Sequence, residues 1–93
     1  MYRLHYTKIN ENEIKSNVVT SEKGVTYYVR INYEKGLWQI FNAKRRNVIK
    51  QGFSVNKNVL RRAVRRELIK LGVKLLKEFK KNSGYATTKK DIL

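Results

Sequence analysis

The fold class predicted for this chain is α+β, with an antiparallel sheet of three or four strands packed by one long C-terminal amphipathic helix. Three observations predict it. Within 25–33, VTYYVRINY, the residues Tyr27, Val29, Ile31 and Tyr33 share one face while Thr26, Tyr28, Arg30 and Asn32 share the other, which is the period of a half-buried strand. A short turn and a second aromatic-rich run follow directly, as a hairpin requires. From Lys57 the period changes, and Leu60, Val64, Leu68, Leu71, Leu75 and Phe79 recur at spacings of four or three, which lines them up on one side of a helix.

The elements follow in chain order. Over Met1–Thr7, Tyr2, Leu4 and Tyr6 alternate with Arg3 and His5, predicting a first strand. Lys8–Lys23 mixes Asn, Glu, Ser and Lys around the pair Val18 and Val19 and reads as a polar connector with a short strand near Asn17–Thr20. The clearest strand follows Gly24. Glu34-Lys35-Gly36 supplies a turn, and LWQIFN pairs back with Trp38 and Ile40 on one side. Ala43–Asn47 is a basic turn, and VIKQ is a third meander strand before Gly52. Ser54 and Asn56 are N-cap residues for a helix over Lys57–Lys81, whose apolar stripe covers the face of Tyr27, Val29, Ile31 and Trp38. Asn82-Ser83-Gly84 stops the helix. Residues 1–84 are thus expected to form a single basic domain and 85–93 a flexible tail.

Ninety-three residues leave room for one core. The 41% apolar content is that of a folding domain, whereas a net charge of +15 exceeds what solubility requires and opposes compaction. Such a charge implies an anionic partner. Cysteine is absent, which excludes disulfides and thiolate metal sites. No run has signal-peptide character or approaches the ~20 apolar residues that span a bilayer, so no membrane association is expected and the location expected is intracellular, in cytoplasm or nucleoid. Abundant Asn, Lys and Ile without proline are compatible with an AT-rich genome, viral or bacterial.

The charge is concentrated between Ala43 and Glu67, AKRRNVIKQGFSVNKNVLRRAVRRE. Six of the eight arginines lie there, and no acidic residue intervenes between Glu34 and Glu67 to neutralise them locally. Arginine forks and lysine ammonium groups release condensed counterions when they meet a polyphosphate. The expected function is therefore nucleic-acid binding, with double-stranded DNA favoured over RNA, through phosphate contacts and modest sequence preference, in an architectural or regulatory role. The candidate contacts are Lys44, Arg45 and Arg46 in the turn, Lys57, Arg61, Arg62, Arg65 and Arg66 on the helix, and Tyr28, Arg30, Gln39 and Lys50, with Phe41, on the open face of the sheet. Rings interleaved with arginines stack on bases while the cations hold phosphates. Tyr28 and Phe41 packed beneath the N-terminal segment is the alternative.

Signals of catalysis are poor. His5 is the sole histidine and has no neighbouring carboxylate to orient it. There is no glycine-rich phosphate loop, metal-ligand cluster or nucleophile motif. No catalytic residue, metal or cofactor is expected. The competing readings are a structured-RNA binder, a small basic ribonuclease of toxin type, and a small adaptor or inhibitor of an acidic protein.

TYYVRINYEKGLWQIFNAKRRNVIKQGF followed by VLRRAVRREL resembles the DNA-binding domain of plant ethylene-response factors and the related N-terminal arm-binding domain of phage integrases. The resemblance covers Val25–Leu71 and lies in the order of elements and in the WxI and GF punctuation. It implies a three-stranded sheet in the major groove, braced from behind by the helix, with Arg30, Gln39 and Lys50 facing DNA. The usual alanine-rich helix is replaced here by one rich in arginine. The same order resembles the latter part of a double-stranded RNA-binding domain, which would give Lys57, Arg61 and Arg62 to phosphates.

Ile69, Val73 and Leu76 follow at i, i+4 and i+7 on the side of the predicted helix roughly opposite Leu71 and Leu75. A helix apolar on two sides is buried on two sides, which predicts a homodimer through these residues. The alternatives are cover from the Val18-Val19 connector or the tail, and a break in the helix at Gly72.

Overall fold

The computed structural model describes residues 1–76. One antiparallel sheet is built from β1 (Tyr6–Lys8), β2 (Glu13–Ser16), β3 (Val19–Thr20), β4 (Thr26–Asn32), β5 (Leu37–Asn42) and β6 (Val48–Phe53). Its order is β1-β2-β4-β5-β6, with β3 pairing the other end of β4 on the β2 side. One 3₁₀ turn, Lys57–Val59, leads into the helix α1, Leu60–Lys70. The fold is α+β as expected, but the sheet is larger and the helix shorter.

The sheet is larger because the connector is itself strand. In β2 the alternation is carried by Ile14 and a serine, so only one apolar residue signals it. Ser16 is 6% exposed, and its hydroxyl accepts from the Val29 amide at 2.9 Å where the ladder breaks between β2 and β3. Asn17 then bridges back to the N-terminal segment, its amide side chain accepting from the His5 amide and donating to the Arg3 carbonyl. The first strand is correspondingly shorter than Met1–Thr7. Tyr2 instead makes an isolated parallel bridge to Leu75.

The helix is shorter because Gly72 ends it. At φ +93° this residue takes a left-handed conformation that costs other residues about 1–2 kcal/mol. Its amide donates to the Ile69 carbonyl and that of Val73 to the Leu68 carbonyl, the two bonds of a Schellman cap. Leu68 and Val73, the residues this motif brings together, are both core. At the other end Asn56 caps the 3₁₀ turn, Ser54 bonds ahead of it, and α1 itself, with Val59 at its N-cap, has no side-chain cap. The Ser54 hydroxyl accepts from the Asn56 amide and the Asn56 side chain from the Asn58 amide.

Leu60, Val64 and Leu68 of α1 have no exposed surface and lie over Val29, Ile31 and Ile40, with Ile14, Val19, Tyr27, Val73 and Leu75 completing the core. Each fully buried aliphatic side chain contributes roughly 1.5–3 kcal/mol. Leu75 joins this core as predicted, but from an extended segment. Phe79, the helix stop at 82–84 and the tail 85–93 lie outside the described residues. The predicted Ile69, Val73, Leu76 stripe does not form: Val73 is 2% exposed, whereas Ile69 is 52% exposed on the helix and Leu76 lies beyond its end. Among the described residues no helix is long and apolar enough to cross a membrane.

Candidate nucleic-acid interface

Because α1 covers one face of the sheet, the period-2 pattern assigns the polar half of each strand to the other. Cross-strand pairing sets Thr7, Lys15, Arg30, Gln39 and Gln51 in one row across five strands. A second row holds Tyr28, Phe41 and Val48. The rings of Tyr28 and Phe41 stack with centroids 4.9 Å apart and planes within 2°, and the Lys15 Nζ lies 4.7 Å from the Tyr28 centroid. The two rings are half-buried and stacked on each other.

Arg30 faces this surface as expected, but its guanidinium is committed. It meets the Glu13 carboxylate at 2.6 Å. Gln39 donates from Nε2 to the Gln51 Oε1 at 3.1 Å. Lys50 is elsewhere. A bulge between Ile40 and Phe41 shifts the register, with Phe41 opposite Val48 but Ile40 opposite Lys50. Without the extra residue, Ile49, the pairing would set Lys50 against Gln39, and a shift of one residue exchanges the faces. Lys50 therefore lies on the helix side, where its Nζ meets Glu67 Oε1 at 2.8 Å. Its expected place on the open face is corrected, and Gln51 stands there instead.

The turn between β5 and β6 projects the three contiguous cations. Asn42 organises it: its side-chain oxygen accepts from the amides of Lys44 and Arg45, and its carbonyl from that of Arg46. Arg46 has φ +59°, the one positive value at a non-glycine residue among those described. It lines a shallow cleft with Lys15, Val18, Tyr28 and Ala43, while Lys44 and Arg45 line another with Gly24 and Thr26. Tyr28, Arg30 and Gln39 are thus brought to one surface with Lys44, Arg45 and Arg46 at its tip.

The five helical candidates belong to the opposite layer and divide again. Arg61 donates from Nε to the Tyr33 hydroxyl at 3.0 Å and sits 4.8 Å from the Tyr6 ring. Arg65 donates to the Leu76 carbonyl. These two tie the helix to neighbouring segments of the same chain, and Arg61 stays exposed while doing so. Lys57, Arg62 and Arg66 remain exposed. The ion pairs among the described residues are Arg30–Glu13, Lys50–Glu67, Lys70–Glu67 and Lys74–Glu22. Lys44, Arg45, Arg46, Lys57, Arg62 and Arg66 have no acidic partner among the described residues.

Lys15 and Gln51 are among the open-face residues missed in the sequence. Lys15 was hidden because its strand, EIKS, carries a single apolar residue. Gln51 was hidden by the bulge, which no local signal announces. Also among the described residues, no group of three or more His, Asp or Glu is placed to hold a metal ion. Comparison with family models, curated proteins and solved structures finds no match to this chain.

Proposed function

We propose that this protein binds duplex nucleic acid, DNA in preference to RNA, through the β5–β6 ribbon and its basic tip. The observation that carries the reading is the separation of paired from unpaired cations. Glutamates take up Arg30, Lys50, Lys70 and Lys74, while the three consecutive cations of the turn keep their charge for an external anion. Counterion release favours a polyphosphate over scattered carboxylates.

Width selects the ribbon. Five strands at about 4.8 Å spacing make a surface of about 20 Å, too broad for a major groove about 12 Å wide, which admits a two-stranded ribbon. β5 and β6 form such a ribbon at the sheet edge. The reading keeps the helix as a brace, as the resemblance to the ethylene-response-factor and integrase arm domains implies, and gives the groove to two strands. The strained Arg46 fits it too, because a left-handed non-glycine residue is kept where its side chain serves a purpose.

A second reading rests on the Tyr28–Phe41 stack. Half-exposed rings beside Lys15 suit unpaired bases, which would make single-stranded nucleic acid the ligand. Titration of duplex DNA, duplex RNA and single-stranded DNA at several salt concentrations tests both. Duplex binding with a log-log slope steeper than about −2 is expected. A shallower slope refutes the phosphate-dominated reading, and tighter single-strand binding replaces it with the second.

A further inference from the structure

We propose that Gln39 reads adenine in the major groove and that Gln51 holds it in the orientation to do so. This rests on the duplex reading above. Gln39 lies mid-strand in β5 on the open face, between Arg30 on β4 and Gln51 on β6. A free glutamine amide rotates, presenting donor and acceptor in either order, and so distinguishes bases poorly. Here Gln51 opposes rotation. The Gln39 Nε2 donates to the Gln51 Oε1 at 3.1 Å. On the other side Arg30 directs its guanidinium to the Glu13 carboxylate at 2.6 Å, which leaves the Gln39 Oε1 free of it. The orientation follows from this hydrogen bond to Gln51 rather than from the amide itself.

One Nε2 proton is used by Gln51. The second proton and Oε1 remain, and no described residue hydrogen-bonds to Oε1. Together they form the donor–acceptor edge that matches adenine N7 and N6. Guanine offers two acceptors at the same places, so Oε1 would face O6 without a proton between them. Gln51 reads nothing in this scheme. It is a positioning residue.

The test is selection of a preferred site from random duplexes at fixed salt, followed by affinities for that site and for variants of its base pairs. Wild type is expected to prefer A·T at one position by about tenfold. Gln39→Glu is expected to move the preference there to C·G, because a carboxylate accepts from cytosine N4. Gln51→Leu should weaken the discrimination, and Gln51→Glu, which keeps the acceptor toward Gln39, should retain the ratio at lower overall affinity. Salt slope and Tm should stay unchanged in Gln39→Leu and Gln51→Leu. Equal binding to every duplex, or a preference that survives Gln39→Leu, overturns the inference and leaves duplex binding standing. Failure to bind any duplex at low salt removes both.

Discussion

Lys50 Nζ lies 2.8 Å from Glu67 Oε1, joining the edge strand β6 to α1 on the side of the sheet away from the open face. Lys70 approaches the same carboxylate at 3.4 Å. The hydrogen bond from Lys50 is the largest influence holding the Glu67 carboxyl below its ordinary value of 4.5, with Lys70 acting in the same sense against partial desolvation. A carboxyl depressed in the folded state stabilises fully above its unfolded pKa and loses that contribution as pH falls through the folded one. Thermal denaturation across pH should therefore show Glu67→Gln less stable than wild type near neutrality, with the two converging in acid. A difference that persists unchanged at low pH would show that the pair is not its source.

The same placement separates Lys50 from the cations of the turn. Lys50→Met is expected to lower Tm and leave the salt slope of DNA binding alone. Replacing Arg45 with Ala and Arg46 with Gly should do the reverse. The slope should fall by about two units, one per phosphate contact. Stability should be unchanged or rise by up to about 1 kcal/mol, because glycine relieves the left-handed strain at position 46. If Lys50→Met reduces the slope as much as the turn variant does, the ion pair opens to bind phosphate.

Gly72→Ala tests the helix terminus. An added Cβ meets nothing closer than the Ser21 Cβ at 3.8 Å, so only the backbone conformation resists it. The expected loss is about 1–2 kcal/mol in a denaturation experiment. A neutral substitution would mean that the helix continues past Lys70.

How much of this was legible follows from how locally each feature is encoded. The β4–β5 hairpin and the Leu60, Val64, Leu68 stripe could be read because both faces of each element are written in consecutive residues. β2 could not, because its inward positions are Ile14 and a serine whose fitness depends on the Val29 amide far along the chain. The helix end was missed although its signal, a glycine, was present. Val73 and Leu75 keep a helical spacing by coincidence, since they are buried from an extended segment beyond Gly72. At the site, the basic turn and the open-face positions of Tyr28, Arg30 and Gln39 were legible. The exchange of Lys50 for Gln51 was not, because one extra residue in β6 reverses the faces.

The burial of Val73 bears on self-association. A homodimer through Ile69, Val73 and Leu76 requires all three to meet a second chain, yet Val73 is 2% exposed and packs within its own core. Val73→Asp would place a carboxylate among aliphatic side chains, at a cost of about 3 kcal/mol or more whatever the oligomeric state. Ile69 differs. At 52% exposure on the last turn of α1, its replacement by aspartate should change stability by no more than about 1 kcal/mol, chiefly from a negative charge near the helix C-terminus. Denaturation of the two variants should rank them in that order. Sedimentation of wild type beside Ile69→Asp at moderate salt then isolates the contact. Equal monomeric masses leave Ile69 as solvated helix surface, and a dimer that dissociates only in the variant assigns a second chain to this side of α1.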